Sequence, residues 1–164
     1  MSTRQRSAAN IAQELKLYWR HYVFQSLFAS LAIFIVLLFL TTQDAVIVAS
    51  IGATTFIVFA MPKSITAKPQ NVIGGHIAGI MVGSLCALIP HQLFLQSIAV
   101  YSLSVGFAMF VMVVTNTEHP PAAGTALGVA ISGFSLQVTA TMVASVVVLS
   151  LIHHFFKRYL RNLV

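Results

Sequence analysis

The sequence predicts an all-α fold, a polytopic transmembrane helix bundle of about six short membrane segments with both termini cytoplasmic. Three observations predict it. Hydrophobic residues make up 58% of the 164-residue chain and charged residues 7%, against about 45–50% and about 25% in a soluble globular domain. Charge so sparse cannot cover a soluble surface, which excludes an ordinary cytosolic enzyme, and apolar content so high excludes a disordered chain. Asp, Glu, Lys and Arg are also missing from four long stretches, 21–43, 45–62, 69–117 and 119–156. Finally, the nine basic residues are grouped so that six crossings place all of them on one side of a membrane.

Each element follows in order. Residues 1–21 read as a cytoplasmic and interfacial segment. Along it and at its junction with the next segment, Ile11, Leu15, Tyr18 and Tyr22 recur at three- and four-residue intervals around Lys16 and Arg20. With Trp19, this pattern fits a short helix lying at headgroup depth. A membrane-crossing helix needs about 20 mostly apolar residues, and the uncharged stretches supply segments near 22–40, 45–61, 72–89, 93–115, 122–134 and 138–156. The first is a retained span: its apolar run exceeds a signal-peptide core, and no small-x-small cleavage site follows in residues 40–44. Pro90-His91-Gln92 divides the third stretch, and Gly133 to Gln137 divides the fourth. The fifth segment is short and rich in Gly, Ala, Ser and Thr. Half-helix, tilted helix and a span beginning inside the protein all remain open for it. Residues 22–156 thus form the transmembrane domain, and residues 157–164 form a basic cytoplasmic tail.

Charge fixes the expected orientation. Arg4, Arg6, Lys16 and Arg20 precede the first segment, Lys63 and Lys68 lie between the second and third, and Lys157, Arg158 and Arg161 follow the sixth. The positive-inside rule favours the even count, since five crossings would put the last three outside. The net charge of +6 is therefore a topology signal, and no nucleic-acid partner is expected. The lipid bilayer is the expected surrounding, with a bacterial inner (plasma) membrane as the location. Cys86, the single cysteine, reads as a small buried hydrophobe. Zinc held by paired cysteines is excluded, and neither metal nor cofactor is expected.

Small residues mark close helix packing. Gly75, Gly79 and Gly83 recur every four residues, as do Gly124 and Gly128, flanked by Ala123, Ala126 and Ala130. In lipid such spacing lets backbones approach, and van der Waals packing replaces the hydrophobic drive available in water. Both runs follow a proline-containing polar loop, which fits either an internal duplication or independently arisen packing. Spare small-residue faces also fit a homo-oligomer.

The string with most chemistry is Asn116-Thr117-Glu118-His119-Pro120-Pro121-Ala122-Ala123-Gly124-Thr125-Ala126. Proline suits the first turn of a helix, and a residue before proline is pushed to extended backbone. The string therefore predicts a helix end, a rigid elbow and a fresh helix N-terminus. Such an N-terminus offers unpaired N–H groups and a positive dipole end to an anion. It is equally an ordinary inter-helix turn, with Glu118 favouring the dipole. His76 and His119 stand in uncharged surroundings, where ionisable groups are functional hypotheses by default. Either imidazole titrates near neutrality and is a proton-coupling candidate, as is Glu118. His91 and the His153-His154 pair read as interfacial.

His119-Pro120-Pro121 followed by Ala122-Ala123-Gly124 resembles the signature of the HPP family of integral membrane proteins. Pro69-Gln70-Asn71-Val72-Ile73-Gly74-Gly75-His76 resembles a second block of that family, and Ala49-Ser50-Ile51-Gly52-Ala53-Thr54 a third. Cyanobacterial and chloroplast members are nitrite transporters, so the resemblance implies passage of a small monoanion. Two departures stand out: the family is usually described with four spans, and Gln70 occupies a position where relatives often carry arginine.

Together these readings give an expected function. A small inorganic anion, nitrite first, crosses through a polar cavity where two helix starts converge, with proton coupling as an option. The expected binding residues are Asn71, Gly74, Gly75 and His76 at one start, His119, Pro120, Pro121, Ala122, Ala123, Gly124 and Thr125 at the other, and Thr54 and Thr55 beside them. The alternatives are a non-transporting scaffold or sensor subunit and, further off, an enzyme using Glu118 and His119 as an acid–base pair. The enzyme reading lacks a nucleophile, metal set or cofactor loop, so no enzymatic activity is expected.

Overall fold

The computed structural model describes residues 8–38 and 45–164, with the side chains of residues 8–12, 14, 15 and 36 outside that description. Arg4, Arg6, the side chains of Ile11 and Leu15, and the 39–44 junction where no cleavage site was expected therefore lie outside the described residues. Among the described residues the fold is all-helical: α1 (Ala8–Leu37), α2 (Ala45–Ala60), a 3-10 turn (Ile65–Ala67), α3 (Pro69–Ala87), α4 (Phe94–Val114), α5 (Pro121–Ser132) and α6 (Leu136–Phe156).

Local sequence sets most of these limits. Pro69 opens α3, where its missing N–H costs nothing. Leu93 N–H donates to the Gln96 side chain at 3.3 Å where α4 begins. Ser135 caps α6 by accepting from Val138 N–H. Gly133, at φ 78°, ends α5 in a left-handed conformation that glycine adopts without penalty. α1 comprises two helical stretches that meet at a kink at Tyr18, whose φ and ψ of −122° and 15° are not helical, so a short N-terminal helix precedes the longer apolar one.

Length separates the helices. α4 and α6, 21 residues each, are long and apolar enough to cross a membrane, whereas α2 and α5 are shorter apolar helices. The 12 residues of α5 rise about 18 Å, well short of a hydrocarbon core about 30 Å thick. It is thus a short helix, as its sequence predicted, with Pro121 and Ala122 at its start buried within the protein.

α5 is the centre of the bundle, packed against α2, α3 and α4, while α6 lies on α3 and α2 and α1 sits outside α2. The small residues explain how α5 fits there. A Cβ placed on Gly83 would fall 2.6 Å from Ala126 O, and one on Gly79 would strike Ala122 O. The α3 glycine row thus receives the Ala122–Ala126 ridge of α5. On the opposite face, Gly128 lies against Ile47 and Gly124 against Ser50, both on α2.

The basic end of the bundle is tied together by the C-terminal tail. Gln25 on α1, 1% exposed, donates to Phe59 O and to Arg161 O and accepts from Arg161 N–H at 3.1 Å. Leu163 N–H donates to Ala60 O, and Lys63 N–H to Asn162 Oδ1. His153, near the end of α6, is buried, and its Nε2 bonds Pro62 O at 2.7 Å. Half-buried His91 bonds Ile89 O within its loop. These bonds hold the 61–68 turn in place over the region described next.

Candidate functional site

Four polar side chains of separate elements converge between α2, α3 and α5. Thr54 lies six residues before the end of α2, His76 seven residues into α3, and Thr125 four residues into α5. At 1.5 Å per residue the group sits about 6–10 Å below the helix ends. His119 joins it from the elbow between α4 and α5. All four are fully buried or 1% exposed.

The elbow forms as its proline pair requires. α4 ends at Val114, Asn116 takes a positive φ of 55°, and Pro120 and Pro121 start the next helix. Asparagine is among the few residues that tolerate that conformation. Gly75 lets the elbow come close, since a Cβ there would lie 2.7 Å from His119 Cβ and 3.0 Å from Thr117 O. Gly74 serves the same approach against Thr117. Both glycines thus bring His119 to His76, whose ring centroids are 5.1 Å apart.

Thr54 Oγ1 joins the two rings, lying 2.8 Å from His76 Nε2 and 2.9 Å from His119 Nε2. His76 Nδ1 lies 2.8 Å from Thr125 Oγ1, and His119 Nδ1 donates to Thr66 O at 2.8 Å. Thr125 Oγ1 is 2.9 Å from Ser50 Oγ, which itself donates to Pro121 O. Thr54 Oγ1 also lies 3.1 Å from Ser50 O, one turn back on its own helix. Every imidazole nitrogen of the pair therefore has a partner, as buried polar atoms require.

Not every expected residue joins this group. Thr55 bonds Ile51 O on its own helix. Asn71 is buried and its Nδ2 donates to Glu118 O at 3.2 Å, so it braces the elbow. Glu118 is half-buried and offers the group its backbone carbonyl, through Asn71. The peptide amides at the start of α5 are engaged locally: Pro120 and Pro121 have no N–H, Ala122 N–H donates to His119 O, and Ala123 N–H to Pro120 O. The donors that converge here are thus side chains rather than the backbone groups that the elbow suggested.

Two contributors were not among the expected binding residues. Ser50 lies one helical turn before Thr54, a spacing that puts both on one face, and that spacing was the available signal. Thr66 acts through its carbonyl, which no side-chain pattern reveals. Chemically, the arrangement can hold and pass protons between two imidazoles and three hydroxyls in surroundings from which water is excluded.

Comparison with known proteins agrees with this architecture. The family model described as "HPP, transmembrane region" matches residues 14–163. A transmembrane protein of Dictyostelium discoideum is 34% identical over 88 residues, covering 54% of this chain and 31% of the relative. A second from the same organism is 35% identical over 78 residues, covering 48% of this chain and 25% of the relative. The matched region is thus less than a third of the length of either relative. No solved structure matches the chain.

Proposed function

The chain belongs to the HPP transmembrane family, and from that premise we propose that it carries a small inorganic monoanion across a membrane, nitrite being the first candidate. The observation that carries the reading is the pair of buried imidazoles meeting at one threonine hydroxyl, His76 and His119 at Thr54. Burying polar groups in an apolar bundle costs free energy unless each is bonded, and ionisable groups kept at membrane depth mark substrate and proton paths. An imidazole that takes up a proton becomes a cation, so the pair holding one added proton suits one monoanion. Among the described residues no carboxylate bonds to the pair, which fits an anion better than a sodium-type cation.

The centre is closed in this structure, so passage requires an opening of the elbow or of the 61–68 turn on the basic side. Lys63 and Lys68 flank that turn, and a positive rim concentrates anions. We place that rim and both termini in the cytoplasm of a bacterial inner membrane. The closed state also supports a second reading, a scaffold or sensor subunit whose buried pair is structural.

Flux into liposomes holding this protein alone decides between them. Nitrite, nitrate, formate and bicarbonate would each be offered with and without a proton gradient, against protein-free vesicles. The transport reading expects nitrite uptake that responds to the gradient. No flux of any of the four, with protein inserted in both orientations, would leave the scaffold.

A further inference from the structure

Counting hydrogens in the buried centre leads further than its geometry alone. Six short contacts link Pro121 O, Ser50, Thr125, His76, Thr54, His119 and Thr66 O in one line, and a seventh, longer contact branches from it at 3.1 Å, from Thr54 Oγ1 to Ser50 O. Both ends of the line are carbonyl oxygens, which only accept. Ser50 must therefore give its hydroxyl hydrogen to Pro121 O, and His119 must carry hydrogen on Nδ1. His119 Nε2 then needs a donor, and Thr54 Oγ1 is its hydrogen-bond partner. Thr54 in turn accepts from His76 Nε2–H, and His76 Nδ1 accepts from Thr125.

With both imidazoles neutral, the line has six contacts and five hydrogens: three from hydroxyls and one from each ring. The contact left empty is the 2.9 Å approach of Thr125 Oγ1 to Ser50 Oγ. One added proton fills it. If it sits on His76, that ring donates to both Thr125 and Thr54, and the Thr125 hydroxyl turns to Ser50. If it sits on His119, that ring donates to Thr66 O and Thr54, and the Thr54 hydroxyl turns to His76 Nε2. Each of the six contacts in the line then holds one hydrogen in either case, with the Thr54 hydroxyl turned from Ser50 O to an imidazole, so the two positions are equivalent in bonding. A second proton would place two cations with ring centroids 5.1 Å apart inside a low-dielectric bundle, where like charges repel strongly.

We infer that the centre stores one proton shared by His76 and His119, and that the Thr54 hydroxyl is the relay that passes it between them. In the transfer His76 Nε2 gives its hydrogen to Thr54 Oγ1 while Thr54 gives its own to His119 Nε2; no other bond changes. The elements around the pair carry Lys63, Lys68, Glu118, Cys86, Tyr101, His153 and His154. None of these bonds to either imidazole among the described residues, so the shared proton is set by the pair itself. The inference deepens the transport reading and rests on it for any effect on flux. The proton count stands apart.

Histidine-labelled ¹⁵N NMR of the full chain in lipid nanodiscs reads it directly. The expected result is His119 as the Nδ1–H form, His76 as the Nε2–H form, and both rings shifting together in one step on acidification. Thr54→Val removes the relay and should split that step into separate titrations, while Thr54→Ser restores it. In liposomes, Thr54→Val should lower gradient-driven nitrite uptake by up to about a hundredfold, a usual size for loss of a positioned proton donor. Independent titration of the two rings in the wild-type chain, or an unaltered joint step in Thr54→Val, overturns the inference. A joint step in a chain that moves no anion would retain the relay and refute transport.

Discussion

Replacing Gly83 by alanine tests whether the α3–α5 contact positions the buried centre. The new Cβ would lie 2.6 Å from Ala126 O, 2.9 Å from Val129 Cβ and 3.1 Å from Ala126 Cα. Non-bonded carbons prefer about 3.5–4.0 Å, so the helices must part by roughly 0.6 Å to relieve Val129 alone. Backbone atoms of α5 form two of the three contacts, and no flexible side-chain end is available to yield. The His76 Nδ1 to Thr125 Oγ1 bond, 2.8 Å long, joins the same two helices. The same displacement would stretch it to about 3.4 Å, beyond the usual limit of about 3.2 Å. Overpacking costs about 1–3 kcal/mol and a lost bond about 1 kcal/mol, against about 1 kcal/mol that alanine gains over glycine within a helix. The net is about 1–3 kcal/mol, a five- to roughly 150-fold loss in the folded-to-unfolded ratio. Equilibrium unfolding in mixed micelles would measure it, with Gly106→Ala and Gly52→Ala as controls because nothing lies within 4 Å of a Cβ at either position. The controls should match the native chain or exceed it slightly. Equal midpoints for Gly83→Ala and Gly106→Ala would refute the packing argument.

Three further outcomes follow from the same structure. His119→Ala should remove the response of anion uptake to a proton gradient; an unchanged pH profile in the liposome assay would move that role to another group. Gln25→Leu strips partners from Phe59 O, Arg161 O and Arg161 N–H, costing about 1–3 kcal/mol, and should expose the tail to trypsin at Arg158 and Arg161. Unaltered digestion would show that Gln25 does not hold the tail. In a Cys86→Ser background, cysteines placed at Lys157 and at Gln92 should react with an impermeant reagent from opposite sides of the membrane; labelling from the same side would refute the orientation drawn from the basic residues.

Much of the fold was legible because a bilayer reduces the problem to one dimension. Uncharged runs must lie in hydrocarbon, and the breaks at Pro90-His91-Gln92 and Gly133 to Gln137 became the turns between α3 and α4 and between α5 and α6. The elbow at His119 was legible for a similar reason, since proline restricts its own backbone and its neighbour's whatever surrounds them. The kink at Tyr18 was not legible, because no proline or glycine marks it and the backbone leaves helical geometry there only in the folded chain.

Sequence by itself determined that this chain is membrane-embedded, where it turns, and that His76, His119, Thr54 and Thr125 were residues to watch, since composition and proline chemistry act locally. Tertiary structure decided that these four meet, that Ser50 and the carbonyl of Thr66 complete the line, and that the amides opening α5 are already engaged. The physical reason is that hydrogen bonds between helices depend on distances of a few tenths of an ångström. Those distances are set by which glycine row receives which alanine ridge, and that pairing is a property of the packed bundle rather than of any one segment.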